Sequence, residues 1–133
     1  MDTERDHKVA FFVDDDRDFI EMIPHMVKHP HFEIRSYCAA NGYQAIDEVI
    51  KAKPDVLFID FGIPRANGAQ LLPVLKSVQN LSGLRVYLVT GYTIDQVLPF
   101  VQSLDLDGIL FKGGNLSSEI LNILNAIDSS PSP

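Results

Sequence analysis

Five short apolar runs divide this chain, and four of them end on a reactive polar side chain: Asp14-Asp15 after VAFFV, Asp60 after VLFI, Thr90 after VYLV and Lys112 after ILF. Uninterrupted runs of Val, Ile, Leu and Phe this short read as strands buried on both faces, the kind a parallel sheet uses. The stretches between them read as helices, so the chain is an α/β alternation folding into a doubly wound parallel sheet. Strands are predicted near 8–13, 32–37, 56–60, 85–90 and 108–111, and helices near 16–29, 43–52, 67–79, 94–104 and 115–128. Right-handed crossovers place successive helices on the two faces of the sheet. Ligands of such sheets bind outside the carboxyl ends of the strands, and there the four polar endings converge.

The chemistry of the converging set follows from its members. Asp14, Asp15 and Asp60 put three carboxylates in a small volume, which like-charge repulsion opposes unless a cation neutralises them. A hard divalent ion suits oxygen-only ligands, and Mg²⁺ takes one or two carboxylates together with phosphate oxygens and water. Lys112 adds a positive charge and Thr90 a hydroxyl donor. Such a site is equipped to hold a phosphoryl group and to attack one with a carboxylate.

The segments VAFFVDDDRDFIEM (9–22), AANGYQAIDEVI (39–50), PDVLFIDFGIPRANG (54–68), LVTGY (88–92) and DGILFK (107–112) together resemble the receiver domain of two-component response regulators, in that family's order and close to its spacing. The resemblance implies the flavodoxin-like strand order 2-1-3-4-5 with five helices. It also implies that Asp60 is the phosphoacceptor and Asp15 a direct Mg²⁺ ligand. Asp14 would act on the metal through water, the main-chain carbonyl of Gly62 would complete the protein ligands, and Thr90 and Lys112 would contact the phosphoryl oxygens. The implied donor is a sensor histidine kinase or a histidine phosphotransfer protein. The implied readout is a downstream protein effector or a fused output domain. On this reading residues 1–128 form the receiver, a signalling domain that catalyses its own phosphorylation and slow autodephosphorylation rather than an enzyme, and 129–133 form a disordered tail or linker stub.

Composition fits these expectations. A chain of 133 residues is one ordinary domain with room for a real core. Its formal net charge of −7 argues against contact with nucleic acid or an anionic membrane. No apolar run approaches the length of a membrane span, and the charged start MDTERDHK is no signal peptide, so a cytoplasmic location is expected. The single cysteine, Cys38, cannot form an internal disulfide and reads as a structural thiol after the second strand. His29-Pro30-His31 has no third metal ligand nearby in the sequence and reads as a surface turn.

Two departures from the family bear on signalling. Lys112 is followed by Gly113 and Gly114, where the family usually has a cis proline, and a cis bond before glycine would cost about 2.5–4 kcal/mol. Ile109 stands where many receivers carry Tyr or Phe, so it cannot report the movement of Thr90 by turning a ring inward. Gly91 leaves space beside Thr90, and Tyr92 is either a shield for the acyl phosphate or an ordinary exposed tyrosine.

The helices carry further expectations. Pro24 lies deep enough in the first helix to kink or shorten it, whereas Pro73 and Pro99 are expected near their helix starts, where a proline is tolerated. In the fourth predicted helix Ile94, Val97, Leu98, Phe100, Val101 and Leu104 exceed what one buried stripe needs, so some are expected on the surface as a partner contact. In the last helix Asn115 reads as the N-cap, Leu116, Ile120, Ile123, Leu124 and Ile127 as the buried stripe, and the outer face has no Lys or Arg. Receivers that dimerise through basic and acidic pairs on that face are therefore a poor match. Two other functions share parts of the pattern. A phosphorylation-independent adaptor would accommodate Ile109 and the Lys112-Gly113 step. A phosphatase with an Asp-x-Asp nucleophile would use Asp14-Asp15-Asp16, but it would leave Asp60 without a role.

Overall fold

The computed structural model describes residues 7–62, 73–75, 77, 83–102 and 105–129. Five strands form one parallel sheet: β1 (Lys8–Asp14), β2 (Phe32–Cys38), β3 (Val56–Asp60), β4 (Arg85–Thr90) and β5 (Gly108–Phe111), in the order β2-β1-β3-β4-β5. Four helices are described in full: α1 (Arg17–Met26), α2 (Gly42–Ala52), α3 (Ile94–Val101) and α4 (Leu116–Ser129). A helical turn at 73–75 falls inside the predicted helix 67–79, most of which lies outside the described residues.

Alternation along the central strands builds a core on each face. Phe11 and Val13 of β1 join Leu57, Ile59, Val86 and Leu88 beneath Ala45 and Val49 of α2 and Val97 and Val101 of α3. Ala10 and Phe12 join Val56 and Phe58 on the opposite face, under Ile20 and Ile23 of α1 and Leu116, Ile120, Leu124 and Ile127 of α4. The period of two in the strands thus matches the sorting of helices to two sides. Ile123 is only half-buried, on the shoulder of the α4 stripe.

On the α1/α4 face the Phe12 and Phe58 rings stack with centroids 4.5 Å apart, and Phe58 stacks on Tyr87 at 5.5 Å. Tyr87 then lies over the next strand, where a Cβ on Gly108 would sit 2.9 Å from its Cδ2. Gly108 is therefore required by a cross-strand ring and not by backbone conformation. Gly108→Ala is expected to destabilise the fold by about 1–3 kcal/mol through overpacking, and urea unfolding would detect it. An unchanged midpoint would show that Tyr87 simply moves aside.

Helix lengths depart from the periodic pattern at the prolines. Asp16 caps α1, its side chain accepting the Phe19 N–H at 3.2 Å, and the helix stops at Met26, two residues after Pro24. The shortening expected of Pro24 is observed. Pro99 is the sixth residue of α3, beyond the first turn, which corrects its placement near a helix start. A missing N–H at that position removes an interior bond; α3 is described as Ile94–Val101, and the predicted end at 104 lies outside the described residues. Cys38 is the last residue of β2 and not beyond it, and α4 runs to Ser129.

Candidate functional site

β1 and β3 end side by side in the middle of the sheet, each on an aspartate. Asp14 and Asp60 are 1% and 8% exposed, whereas Asp15, one residue past the end of β1, is exposed. One carboxylate oxygen from each of Asp14, Asp15 and Asp60 lies within 4.8 Å of the other two. Lys112, just past β5, reaches across the sheet end, with its Nζ 2.8 Å from Asp14 Oδ2 and 3.5 Å from Asp60 Oδ1.

The three consecutive aspartates divide their work. Asp14 Oδ1 accepts the Asp16 N–H at 2.9 Å, Asp16 caps α1, and Asp15 is exposed at the rim of the carboxylate group. Asp60 Oδ2 accepts the Gly62 N–H at 3.2 Å, which turns the chain sharply after β3. Thr90 is 1% exposed at the end of β4, and its Oγ1 accepts the Tyr92 N–H at 3.0 Å. The Lys112 N–H donates to the Thr90 carbonyl at 2.8 Å, so the turn after β5 is tied to the end of β4.

The Lys112–Gly113 peptide is trans, since the described residues contain no cis bond. Gly113 and Gly114 take φ of 119° and 23°, conformations that L side chains rarely adopt. The two glycines therefore let a trans chain turn at the point where the family uses a cis proline. Lys112 still arrives between the carboxylates. Its ammonium also lies 4.6 Å from the centroid of the Phe19 ring, a cation–π contact that the sequence pattern did not single out. Phe19 is visible there only as one more apolar residue on the amphipathic α1.

Electrostatics set these groups apart from ordinary surface charges. Burial, and then the negative charge of Asp14, push the Asp60 carboxyl up to about 6. Burial also raises Asp14, against the pull of Lys112. Burial draws the Lys112 ammonium down, but the Asp14 hydrogen bond and the two carboxylate charges outweigh it and leave the group raised. The buried Asp14 Oδ2 lies 2.8 Å from the Lys112 ammonium. Three grouped carboxylates, two of them held above their usual range even with one ammonium among them, are short of positive charge, and the set fits a hard divalent cation with oxygen ligands.

The rim is apolar. Tyr92 is half exposed, packing edge-on to Phe61 with centroids 6.0 Å apart, and its Cε2 would lie 3.7 Å from a Cβ on Gly62. A Cβ on Gly91 would meet nothing within 4 Å, so packing does not demand glycine there. On the other side a groove of ≈ 240 Å³ runs along Phe19, Met22, Met26, Lys112 and Leu116. On α3, Val97 and Val101 are buried while Ile94, Leu98 and Phe100 are exposed, as the surplus of apolar residues predicts. Leu104 lies outside the described residues. Ile109 packs half-buried against the α2/α3 core.

A family model described as the response regulator receiver domain matches residues 10–125. Sporulation initiation phosphotransferase F of Bacillus subtilis (strain 168) is 36% identical over 58 residues, covering 44% of this chain and 45% of that protein. The protein-glutamate methylesterase/protein-glutamine glutaminase 5 of Geobacter metallireducens is 25% identical over 118 residues, covering 87% of this chain and 32% of that one. The matches thus span less than half the length of these relatives. Among solved structures, the chemotaxis response regulator CheY4 of Vibrio cholerae superposes with a TM-score of 0.75 at 21% identity, covering 91% of this chain and 98% of that one.

Proposed function

The chain belongs to the response regulator receiver domain family, and from that premise we propose that it accepts a phosphoryl group on Asp60 and passes the signal to a protein partner by a change of shape. The observation that carries this reading is the position of Asp60, a nearly buried carboxylate grouped with Asp14 and Asp15 and 3.5 Å from the Lys112 ammonium. The donor is a histidine kinase or histidine phosphotransfer protein. Among the described residues no helix is long and apolar enough to cross a membrane, and we assign the domain to the cytoplasm with its donor.

Asp60, Asp14, Asp15 and the Gly62 carbonyl would hold Mg²⁺, which when bound supplies positive charge to the phosphoryl oxygens and neutralises the carboxylates. One Asp60 oxygen attacks phosphorus in line. The new O–P bond forms as the bond from phosphorus to the donor breaks, and its electron pair leaves with the donor. Lys112 exchanges part of its pairing with Asp60 for an equatorial phosphoryl oxygen. The acyl phosphate then adds roughly −1.5 to −2 charge at the end of β3, by analogy with other phosphorylated side chains. Thr90 turns its hydroxyl toward that charge, which breaks the acceptor contact to the Tyr92 N–H and carries the β4–α3 turn with it. Because Ile109 replaces a ring, the movement passes to Tyr92 and α3.

Intact mass after incubation with a small acyl phosphate tests the proposal. One phosphoryl group is expected with Mg²⁺ and none in Asp60→Asn. Absence of labelling in protein that still binds Mg²⁺, or partner binding that persists in Asp60→Ala, would replace this reading with a phosphorylation-independent adaptor. The exposed Leu98 and Phe100 on α3, 40% and 58% accessible, form the output surface on this reading. Phe100→Ser is expected to weaken partner binding by about tenfold or more while labelling of Asp60 stays intact. Parallel loss of both would mean unfolding.

A further inference from the structure

At the end of the sheet opposite the acidic pocket stands a second cluster of metal-ligating groups. His29 and His31 flank Pro30 just before β2, and Asp128 lies in the last turn of α4. A ligand atom of each lies within 4.8 Å of those of the other two. The third ligand that HPH lacks nearby in sequence is supplied from 97 residues away.

Existing bonds already place these groups. His31 Nδ1 and Asp128 Oδ2 are 2.8 Å apart, and His29 Nε2 is 2.8 Å from Asn125 Oδ1, one turn earlier on α4. The His31 N–H donates to His29 Nδ1 at 3.0 Å, and the rings meet edge-on with centroids 5.8 Å apart. The His31 carbonyl accepts the Lys8 N–H at 3.1 Å, and the His29 ring rests edge-on against Phe32 at 5.2 Å, so the segment is anchored to the sheet on both sides.

We propose that His29, His31 and Asp128 bind a divalent transition-metal ion of the zinc, nickel or copper class, which ties the α1–β2 connection to the last turn of α4. Two imidazoles and a carboxylate form a donor set for zinc, with water completing the shell. Mg²⁺ prefers the oxygen-only pocket at the other end. Ligation through His31 Nδ1 breaks its hydrogen bond to Asp128 and moves the ring proton to Nε2. Loading also changes the His29 tautomer. With Nδ1 accepting from the His31 N–H, the proton sits on Nε2 facing Asn125. Ligation through Nε2 moves that proton to Nδ1 and turns the His31 N–H to solvent, which an exposed bond permits. The His31 hydrogen bond holds the Asp128 carboxyl below its usual range, so it is ionised at neutral pH, while the Lys8 ammonium nearby opposes the incoming cation.

Calorimetric titration of the tag-free protein with Zn²⁺, in excess Mg²⁺ to fill the acidic pocket, tests the site. One zinc ion is expected, with affinity falling by about tenfold or more in His31→Gln and in Asp128→Asn and unchanged in Asp15→Asn. Cu²⁺ is expected to broaden the amide resonances of His29, His31 and residues 125–128. Zinc binding that is unchanged in His31→Gln, or lost in Asp15→Asn, would overturn the proposal. Retained labelling of Asp60 in His31→Gln separates ligand loss from misfolding. Because the two sites share no residue, failure of this test leaves the phosphoacceptor reading standing.

Discussion

Asp60→Asn is expected to stabilise the metal-free protein by about 3 kcal/mol at pH 8, the equivalent of moving a carboxyl from its ordinary 3.8 to about 6. Burial is the first cause and the charge of Asp14 the second. A folded-state value above the unfolded one means that the native protein binds the extra proton. The penalty is therefore present in full above about pH 6 and disappears as the pH falls through 6 toward 3.8. Wild type should gain stability over that interval, and the variant should lose most of that slope, keeping what Asp14 contributes in the same direction. Urea unfolding in chelator at pH 8 and pH 5 would measure both effects. Mg²⁺ should narrow the gap, since it binds the native state and favours the ionised carboxylate. Equal stability of the two proteins at pH 8 would show that Asp60 is already relieved by Lys112 or solvent.

Lys112→Met should slow phosphoryl uptake from a small acyl phosphate by about 10²–10³, the usual effect of removing one positioned donor to a developing charge. Methionine keeps an apolar stem against Phe19 but deletes the ammonium that lies 2.8 Å from Asp14 and 3.5 Å from Asp60. The same deletion removes a cation competing for the carboxylates, so Mg²⁺ should bind more tightly. Slower chemistry with tighter metal is a combination that simple loss of structure does not produce. Time-resolved intact mass and a Mg²⁺ titration would read the two halves. Uptake at the wild-type rate would remove Lys112 from the chemistry despite its position.

Much of the pocket was legible because its signals are local. Each strand is a short apolar run, and where such a run stops the chain has left the sheet. Asp14, Asp60, Thr90 and Lys112 therefore sit at strand ends in the structure as they do in the sequence. The split of α3 into buried Val97 and Val101 and exposed Leu98 and Phe100 follows from helical period in the same way. Pro24 ended α1 soon after its own position because the lost amide hydrogen bond is local as well. Pro99 was misplaced although the predicted start at 94 matches the structure, because the sixth residue of α3 already lies past the unpaired amides of the first turn.

The sequence by itself determined which segments are strands, which residues close them, and that three carboxylates, an ammonium and a hydroxyl meet at one end. Those properties depend on chain neighbours and on the rule that parallel strands all point the same way. Only the tertiary structure decided that Asp14, Asp15 and Asp16 hold three different environments, that Phe19 supports Lys112, and that Gly108 makes room for Tyr87. It alone brought Asp128 to His31. These contacts join residues whose separation is set by sheet register and helix packing, and no periodicity along the chain encodes such a distance.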